Sequence, residues 1–165
     1  MALRLLDNAS WGFDSNCFVC EPTNPRGLGI RYSHDEEAHA VVAEFTLGGE
    51  FSGVPTYVHG GVVLAVLDEA MAWAAIAIAG RWAVVQHTAT TFERPVRIDV
   101  AHRVEATVAD SGDTSVTARA TVADGRGRVC ARAHARLSVM TASRARTAVG
   151  ALDDEHIRYL RKGPS

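Results

Sequence analysis

The chain has 165 residues, of which 47% are hydrophobic and 22% are charged, and its formal net charge is −2. A length of roughly 100–200 residues is typical of one domain, and this composition excludes a disordered chain and a generally basic nucleic-acid-binding protein. The N-terminus has no apolar stretch of about 7–15 residues such as a signal peptide needs, and three cysteines are too few for a disulfide scaffold. We therefore expect a cytoplasmic protein that does not bind nucleic acid.

The first part of the chain predicts little regular structure. Residues 1–27 are expected to be irregular and packed on the domain, because two prolines and a glycine mark a turn near their end. Short strands are predicted over 28–33 and 40–47, and residues 51–58 read as a loop with Gly53 and Pro55.

A long apolar segment follows this loop and predicts a helix from about Gly60 to Ala79, with Gly80 ending it. Asp68 and Glu69 interrupt the segment, and its longest apolar run of ten residues is half the length of about 20 that a membrane-spanning helix needs. We therefore expect a helix surrounded by protein, and no membrane contact.

After the helix, apolar residues recur at every second position, which indicates strands with one buried face. Strands are predicted over 84–96, 100–108, 116–122 and 129–139, arranged as a meander. On the last strand the pattern predicts an exposed face formed by Arg128, Cys130, Arg132, His134 and Arg136. The fold class is therefore predicted as α+β, with an antiparallel sheet wrapped around one long central helix. The tail 142–165 is polar, and a short helix is expected over 152–162.

The start of the long helix has the features of an anion-binding site. His59 precedes Gly60 and Gly61, and the first N–H groups of a helix have no acceptor within it. Glycine lets a ligand approach these groups, as an oxyanion hole requires. The alternative is that the two glycines only permit close packing of helix and sheet.

Asp68 is the second candidate for chemistry, because seven residues after Gly61 it lies on the same helix face. It is also about 12 Å along the axis from Gly60, too far for both to act on one carbonyl within a single chain. Two helices packed antiparallel across a two-fold axis would bring them together, which predicts a homodimer with two shared sites. The alternative is a buried acid paired with Arg94 or Arg97.

These motifs resemble those of the hotdog-fold acyl-CoA thioesterases of the phenylacetate-pathway type. The resemblance covers nearly all of residues 17–140. It rests on the segments Cys17–Cys20, Asn24–Leu28, Phe51–Pro55, His59–Gly61, Leu67–Glu69, Thr88 and Arg94–Val96. It implies a hotdog domain over 28–141 that forms a homodimer and, in many relatives, a homotetramer.

The resemblance also implies site roles. The Gly60 N–H would polarise the thioester carbonyl, Asp68 would attack it or activate water, and His59 would order the entrance. Many relatives carry an Asn or Gln in the preceding loop, where this chain has Gly53. The other expected substrate-binding residues are Gly53, Tyr57, Gly61, Gln86, Thr88, Thr91 and Arg94, of which Gln86, Thr88 and Thr91 could replace the missing amide or be ordinary strand residues.

Three further features of the sequence have more than one interpretation. Cys17 and Cys20 form half of a zinc site, but no second such pair follows, so no metal is expected and the cysteines are interpreted as packing residues. The stripe of Arg128, Arg132, His134 and Arg136 could contact the phosphates of coenzyme A or form a solvated strand face. Glu69 is expected to pair with an arginine or lie at the dimer interface.

The sequence thus predicts an acyl-CoA thioesterase that releases free acid and coenzyme A without a metal or redox cofactor. Coenzyme A enters only as part of the substrate. The alternatives are a protein that binds an acyl thioester of coenzyme A or of a carrier protein with little hydrolysis, and a hotdog hydratase or dehydratase. The acyl group, the choice between dimer and tetramer, and the role of Asp68 as nucleophile or base stay open.

Overall fold

The computed structural model of the protein describes residues 3–11 and 14–150, so the helix expected over 152–162 lies outside the described residues. The strands are β1 (Leu3–Leu6), β2 (Tyr32–Asp35), β3 (Ala40–Phe45), β4 (Ser52–Val54), β5 (Tyr57–Val58), β6 (Ala83–Phe92), β7 (His102–Ser111), β8 (Ser115–Asp124) and β9 (Val129–Val139). The α-helices are α1 (Gly60–Ala77) and α2 (Ala142–Val149).

The long helix forms where the sequence predicts it and ends two residues earlier. Its end is fixed by Gly80, which has φ of 63° in the left-handed region. The N–H groups of Gly80 and Arg81 donate back to the carbonyl oxygens of Ile76 and Ala75 at 3.2 and 2.9 Å. The first of these bonds, from the left-handed glycine to the helix position four residues before it, is the αL motif, which glycine permits without steric cost.

Seven strands form one antiparallel sheet in the order β1-β2-β3-β7-β8-β9-β6, and it packs around α1. The predicted fold class, a sheet wrapped around one central helix, is confirmed. By length and composition α1 could also cross a membrane, but 56% of it is buried inside the fold. Its fully buried Val66, Leu67 and Met71 share a core with Val104 and Leu137 of the sheet.

The predicted four-strand meander is wrong in one respect, because β6 pairs with β9 at an edge and not with β7. The connection from β6 to β7 runs along the 51–58 loop instead. The N–H of Val58 donates to the Val96 carbonyl at 2.9 Å, and the N–H of Ile98 donates to the Thr56 carbonyl at 3.1 Å. These bonds carry the chain past the N-terminal end of α1 and deliver β7 beside β3.

The prediction that Cys130 is exposed is also wrong, since its side chain is 1% accessible. The register between β8 and β9 shifts where Val122 faces Ala131 and Ala123 faces Val129, so Cys130 is an extra residue in a bulge. A bulge turns a side chain out of the simple alternation. The other predicted exposed residues of this strand, Arg132, His134 and Arg136, are exposed.

The two ends of the chain contain more regular structure than predicted. Within the supposedly irregular segment 1–27, β1 pairs antiparallel with β2. The predicted strand over 28–33 starts only at Tyr32, because the N–H groups of Leu28 and Ile30 donate to the carbonyls of Phe18 and Val19 and not to a neighbouring strand. The first part of the predicted polar tail forms α2, whose N-cap Thr141 accepts from the Arg144 N–H.

Candidate active site

A cavity of about 560 Å³ opens at the N-terminus of α1. The loop before the helix and the connection after β6 line it together, because the hydrogen bonds between these segments hold both at this end of the fold. Of the residues predicted for the site, it contains Gly53, Tyr57, His59, Gly60 and Arg94.

His59 is the N-cap of α1. Its Nδ1 atom accepts the Gly61 N–H at 2.9 Å, and its own N–H donates to the Phe51 carbonyl at 2.8 Å. Within the described residues, the Gly60 N–H has no acceptor. The Gly61 N–H is therefore occupied by His59, and the Gly60 N–H is the one that can donate to a ligand in the cavity. It lies at the positive end of the helix dipole.

The glycines around His59 are required by its close packing. A Cβ atom at Gly53 would lie 3.2 Å from the His59 Cα, and one at Gly61 would lie 3.2 Å from Nδ1. A Cβ at Gly60 would meet only the Phe92 ring, at an ordinary 3.7 Å. Gly53 and Gly61 thus permit the position of the cap, whereas the backbone of Gly60 tolerates a side chain.

Asp68 lies near the middle of α1 with its side chain half-buried. Burial raises the pKa of this carboxyl above its ordinary value. The suggested ion pair with an arginine is wrong. Arg94 contacts Glu93 and donates to the Val129 carbonyl, Arg97 lies over the Tyr57 ring, and Asp68 forms no ion pair within the described residues. A half-buried carboxylate without a cation partner is typical of a functional group.

Gly60 and Asp68 do not form one site within a single chain. Eight residues separate them along α1, about 12 Å, and Asp68 does not line the cavity at the helix N-terminus. Asp68 belongs to a stripe of α1 that the sheet leaves partly uncovered and that begins beside Gly60. The stripe includes Gly61, Leu64, Ala65, Asp68 and Ala72.

The three candidates on β6 are distributed over different surfaces. Gln86 is exposed at a bulge between Val85 and His87. Thr91 lies opposite exposed Arg132 and lines a second cavity on the outer face of the sheet. Thr88 lies on the concave face, and its hydroxyl is buried without a hydrogen-bond partner, so it alone of the three has a polar group that a ligand near α1 could satisfy.

Sequence reasoning missed Phe92, which lines the cavity although its side chain is 54% accessible. Thr90 was also missed, and its hydroxyl is buried without a partner like that of Thr88. The alternation of β6 carries the signal for both, because Thr88, Thr90 and Phe92 follow one another at every second position.

Arginines line a groove of about 580 Å³ that shares Arg94 and Pro95 with the cavity at the helix N-terminus. Arg97, Arg126 and Arg128 also contribute to it. Arg128 pairs with Asp124 at 2.8 Å, while Arg132, expected on the same stripe, does not line the groove and pairs with Glu93. The basic surface next to the cavity is therefore formed by the turn between β8 and β9 and by the 94–97 segment.

Among the described residues Glu69 pairs with no arginine, and its alternative place at a dimer interface stays a prediction. Its Oε1 atom lies 3.5 Å from the Cys17 Sγ, which donates to it. Through this contact the Cys17–Cys20 turn packs against α1, at the residue that follows Asp68.

The comparisons with known proteins agree with this fold. The model of the thioesterase superfamily matches residues 56–131. The structure of Escherichia coli PaaI, from the phenylacetic acid degradation operon, has 21% identity and a TM-score of 0.63, covering 69% of this chain and 81% of that one. A phenylacetic acid degradation-related protein of Ralstonia eutropha has 23% identity and a TM-score of 0.61, covering 68% and 86%.

A protein of Streptococcus mutans, solved with acetyl-CoA bound, has 15% identity and a TM-score of 0.59, covering 62% of this chain and 82% of that one. A search among curated proteins finds no match to this chain. The family match and the shared fold confirm the resemblance that the sequence motifs predicted.

Proposed function

We propose that this hotdog-fold chain, similar to the thioesterase superfamily over residues 56–131, is an acyl-CoA thioesterase. One observation carries the proposal: Asp68 is a half-buried carboxylate without a cation partner among the described residues, and it lies on the helix whose first residue, Gly60, lines a cavity. A carboxylate and an oxyanion donor are the two groups that thioester hydrolysis needs.

The site is completed by a second copy of the chain. Antiparallel packing of two α1 helices would set Asp68 of one copy opposite Gly60 of the other. The partly uncovered stripe of α1 supports such a dimer, as does edge strand β6, on which Val84 and Phe92 are 52% and 54% accessible. A homotetramer built from such dimers stays compatible with the fold.

Two groups then carry out the reaction, one from each copy of the chain. The Gly60 N–H donates to the thioester carbonyl oxygen and stabilises the charge that develops there. The Asp68 carboxylate either attacks the carbonyl carbon, forming an anhydride that water hydrolyses, or takes a proton from the attacking water. Both routes break the carbon–sulfur bond and release the acid and the thiol of coenzyme A, with no metal or redox step.

The arginine groove favours coenzyme A as the thiol part of the substrate. It adjoins the cavity through Arg94, so a thioester at Gly60 could extend its phosphates towards Arg97 and Arg126. Guanidinium groups bind phosphate oxygens with paired hydrogen bonds.

A second function is favoured by the loop before α1. Gly53 occupies the place of the amide that many relatives carry, and the Cβ of a larger residue would lie 3.2 Å from the His59 Cα. A site without that amide could bind an acyl thioester and hydrolyse it slowly.

Thiol release from short, medium, long and aromatic acyl-CoAs distinguishes these functions. We expect the wild type to hydrolyse at least one of them and Asp68→Asn to be slower by about 10²-fold or more. The matched control is Glu105→Gln, an exposed acid on the sheet that should retain full activity. If wild type and Asp68→Asn turn over equally slowly and still bind acyl-CoA tightly, the thioesterase function is excluded and the binding function is supported.

A further inference from the structure

Two thiols and a carboxylate meet outside the candidate active site. The ligand atoms of Cys17, Cys20 and Glu69 all lie within 4.8 Å of one another, although Glu69 is 52 residues from Cys17 in the sequence. The tertiary structure therefore brings a carboxylate, Glu69, to the cysteine pair, whereas the sequence pattern offered only Cys130 or a histidine as a further ligand.

The backbone around the cysteines is arranged to hold a thiolate. The Cys17 Sγ accepts the N–H groups of Val19 and Cys20, each at 3.4 Å. The Asn8 side-chain amide donates to the Cys20 Sγ at 3.7 Å. Successive N–H groups aimed at one atom form a concavity that favours negative charge.

The carboxylate of this cluster has no cationic side chain as a partner. Glu69 forms no ion pair with an Arg or Lys in the part of the chain that the structure describes. A dication would neutralise the carboxylate and satisfy all three ligand atoms that converge here.

We propose that Cys17, Cys20 and Glu69 bind a divalent thiophilic metal ion, Zn²⁺, with solvent as the fourth ligand. Zn²⁺ binds thiolates at about 2.3 Å and carboxylate oxygens at about 2.0–2.2 Å, so ligand atoms around a tetrahedral ion lie roughly 3.5–3.8 Å apart. The observed separations allow this arrangement with small side-chain movements.

The surroundings leave room for the fourth ligand. A cavity of about 270 Å³ borders both Cys17 and Glu69 and is otherwise lined mainly by apolar side chains, including Trp73 and Trp82. Three protein ligands with an open position for solvent is an arrangement that zinc adopts in proteins. Binding releases the thiol protons to solvent, as metal coordination by cysteine requires.

The ion would join the N-terminal segment to α1 beside Asp68. It would hold the Cys17–Cys20 turn against Glu69, and this role is independent of thioester hydrolysis. The same thiols could instead form a disulfide, an outcome that the experiment distinguishes.

The test is Zn²⁺ and Co²⁺ binding by the reduced full-length chain. We expect about one ion per chain, a sulfur-to-cobalt charge-transfer band and the visible spectrum of a tetrahedral site. Zn²⁺ should protect Cys17 and Cys20 from alkylation and leave the reactivity of Cys130 unchanged, as peptide mass spectrometry would show. This measurement uses the wild type alone, so it does not depend on the folding of any variant.

Variants then assign the ligands. Cys17→Ser, Cys20→Ser and Glu69→Gln should each weaken Zn²⁺ binding at least roughly 10–100-fold, the loss seen when even an outer partner of a metal ligand is removed. Cys130→Ser and Asp68→Asn are the matched thiol and carboxylate controls, and should bind as the wild type does. The proposal is overturned if the reduced wild type binds neither ion, if it yields only a Cys17–Cys20 disulfide and no metal complex, or if Glu69→Gln leaves binding unchanged.

Discussion

The Nδ1 atom of His59 accepts the Gly61 N–H at 2.9 Å and thereby caps the central helix. This bond uses one of the two N–H groups that a pair of glycines presents at the helix start. The neighbouring Gly60 lines the cavity, and its N–H has no protein acceptor among the described residues. The cap therefore decides which backbone group can act on a ligand.

Removing the Gly60 N–H should abolish most of the activity without unfolding the helix. Proline is favoured at the first helical position, and His59 has φ of −58° and ψ of 134°, which a following proline permits. We expect Gly60→Pro to lower kcat by about 10²–10³-fold, the usual effect of losing an oxyanion donor. Gly60→Ala keeps the N–H and is the matched control. Wild-type turnover by a folded Gly60→Pro protein would exclude this donor.

The side-chain cap of His59 should contribute to stability. We expect His59→Ala to lower the free energy of unfolding by about 1 kcal/mol, because the Gly61 N–H loses its acceptor. His59→Asn provides a carbonyl oxygen that can accept the same N–H and should retain most of the stability. Urea denaturation of the three proteins measures this difference, and equal midpoints for wild type and His59→Ala would show that the cap contributes nothing.

Glu69 should make the stability of the metal-free protein depend on pH. Its pKa is raised by burial from 4.5 to about 7 in the folded state. Between these values the folded protein holds on Glu69 a proton that the unfolded chain has released, so the contribution of Glu69 to the free energy of unfolding falls as the pH rises, by at most about 1.4 kcal/mol per pH unit. Below 4.5 the carboxyl is protonated in both states and contributes no slope.

Glu69→Gln removes this titration and isolates it from those of other groups. Measured with a chelator present, the difference in unfolding free energy between variant and wild type should grow from pH 4.5 to 7 and then level off. A difference that is constant across this range would mean that Glu69 titrates normally in the folded protein.

A shared active site should be restored by pairing two inactive chains. A dimer of one Asp68→Asn chain and one Gly60→Pro chain contains one site with both native groups and one site with neither. We expect the purified mixed dimer, selected with two different tags, to regain about half of the wild-type activity. Both homodimers should stay inactive. A mixed dimer as inactive as its parents would mean that each site is built within one chain.

The sequence was most informative where periodicity reports burial. The alternation of Val116, Ala118, Ala120 and Val122 predicted the buried face of β8, and all four are buried. The prediction failed for Cys130, since a bulge depends on the register between two strands and leaves no mark in either strand alone. The position of β6 at the sheet edge was missed for a related reason, because strand order depends on the path of a connection.

The sequence by itself determined the central helix, the histidine at its entrance and its glycine stop, and Asp68 as an acid out of place among apolar residues. These features are local, because helix propensity, capping and periodicity act over a few neighbouring residues. The tertiary structure alone decided that the His59 ring takes up the Gly61 N–H, that Asp68 has no arginine partner among the described residues, and that Glu69 meets Cys17. Those relationships join residues far apart in the chain, and they follow from how the sheet and the N-terminal turn pack around the helix.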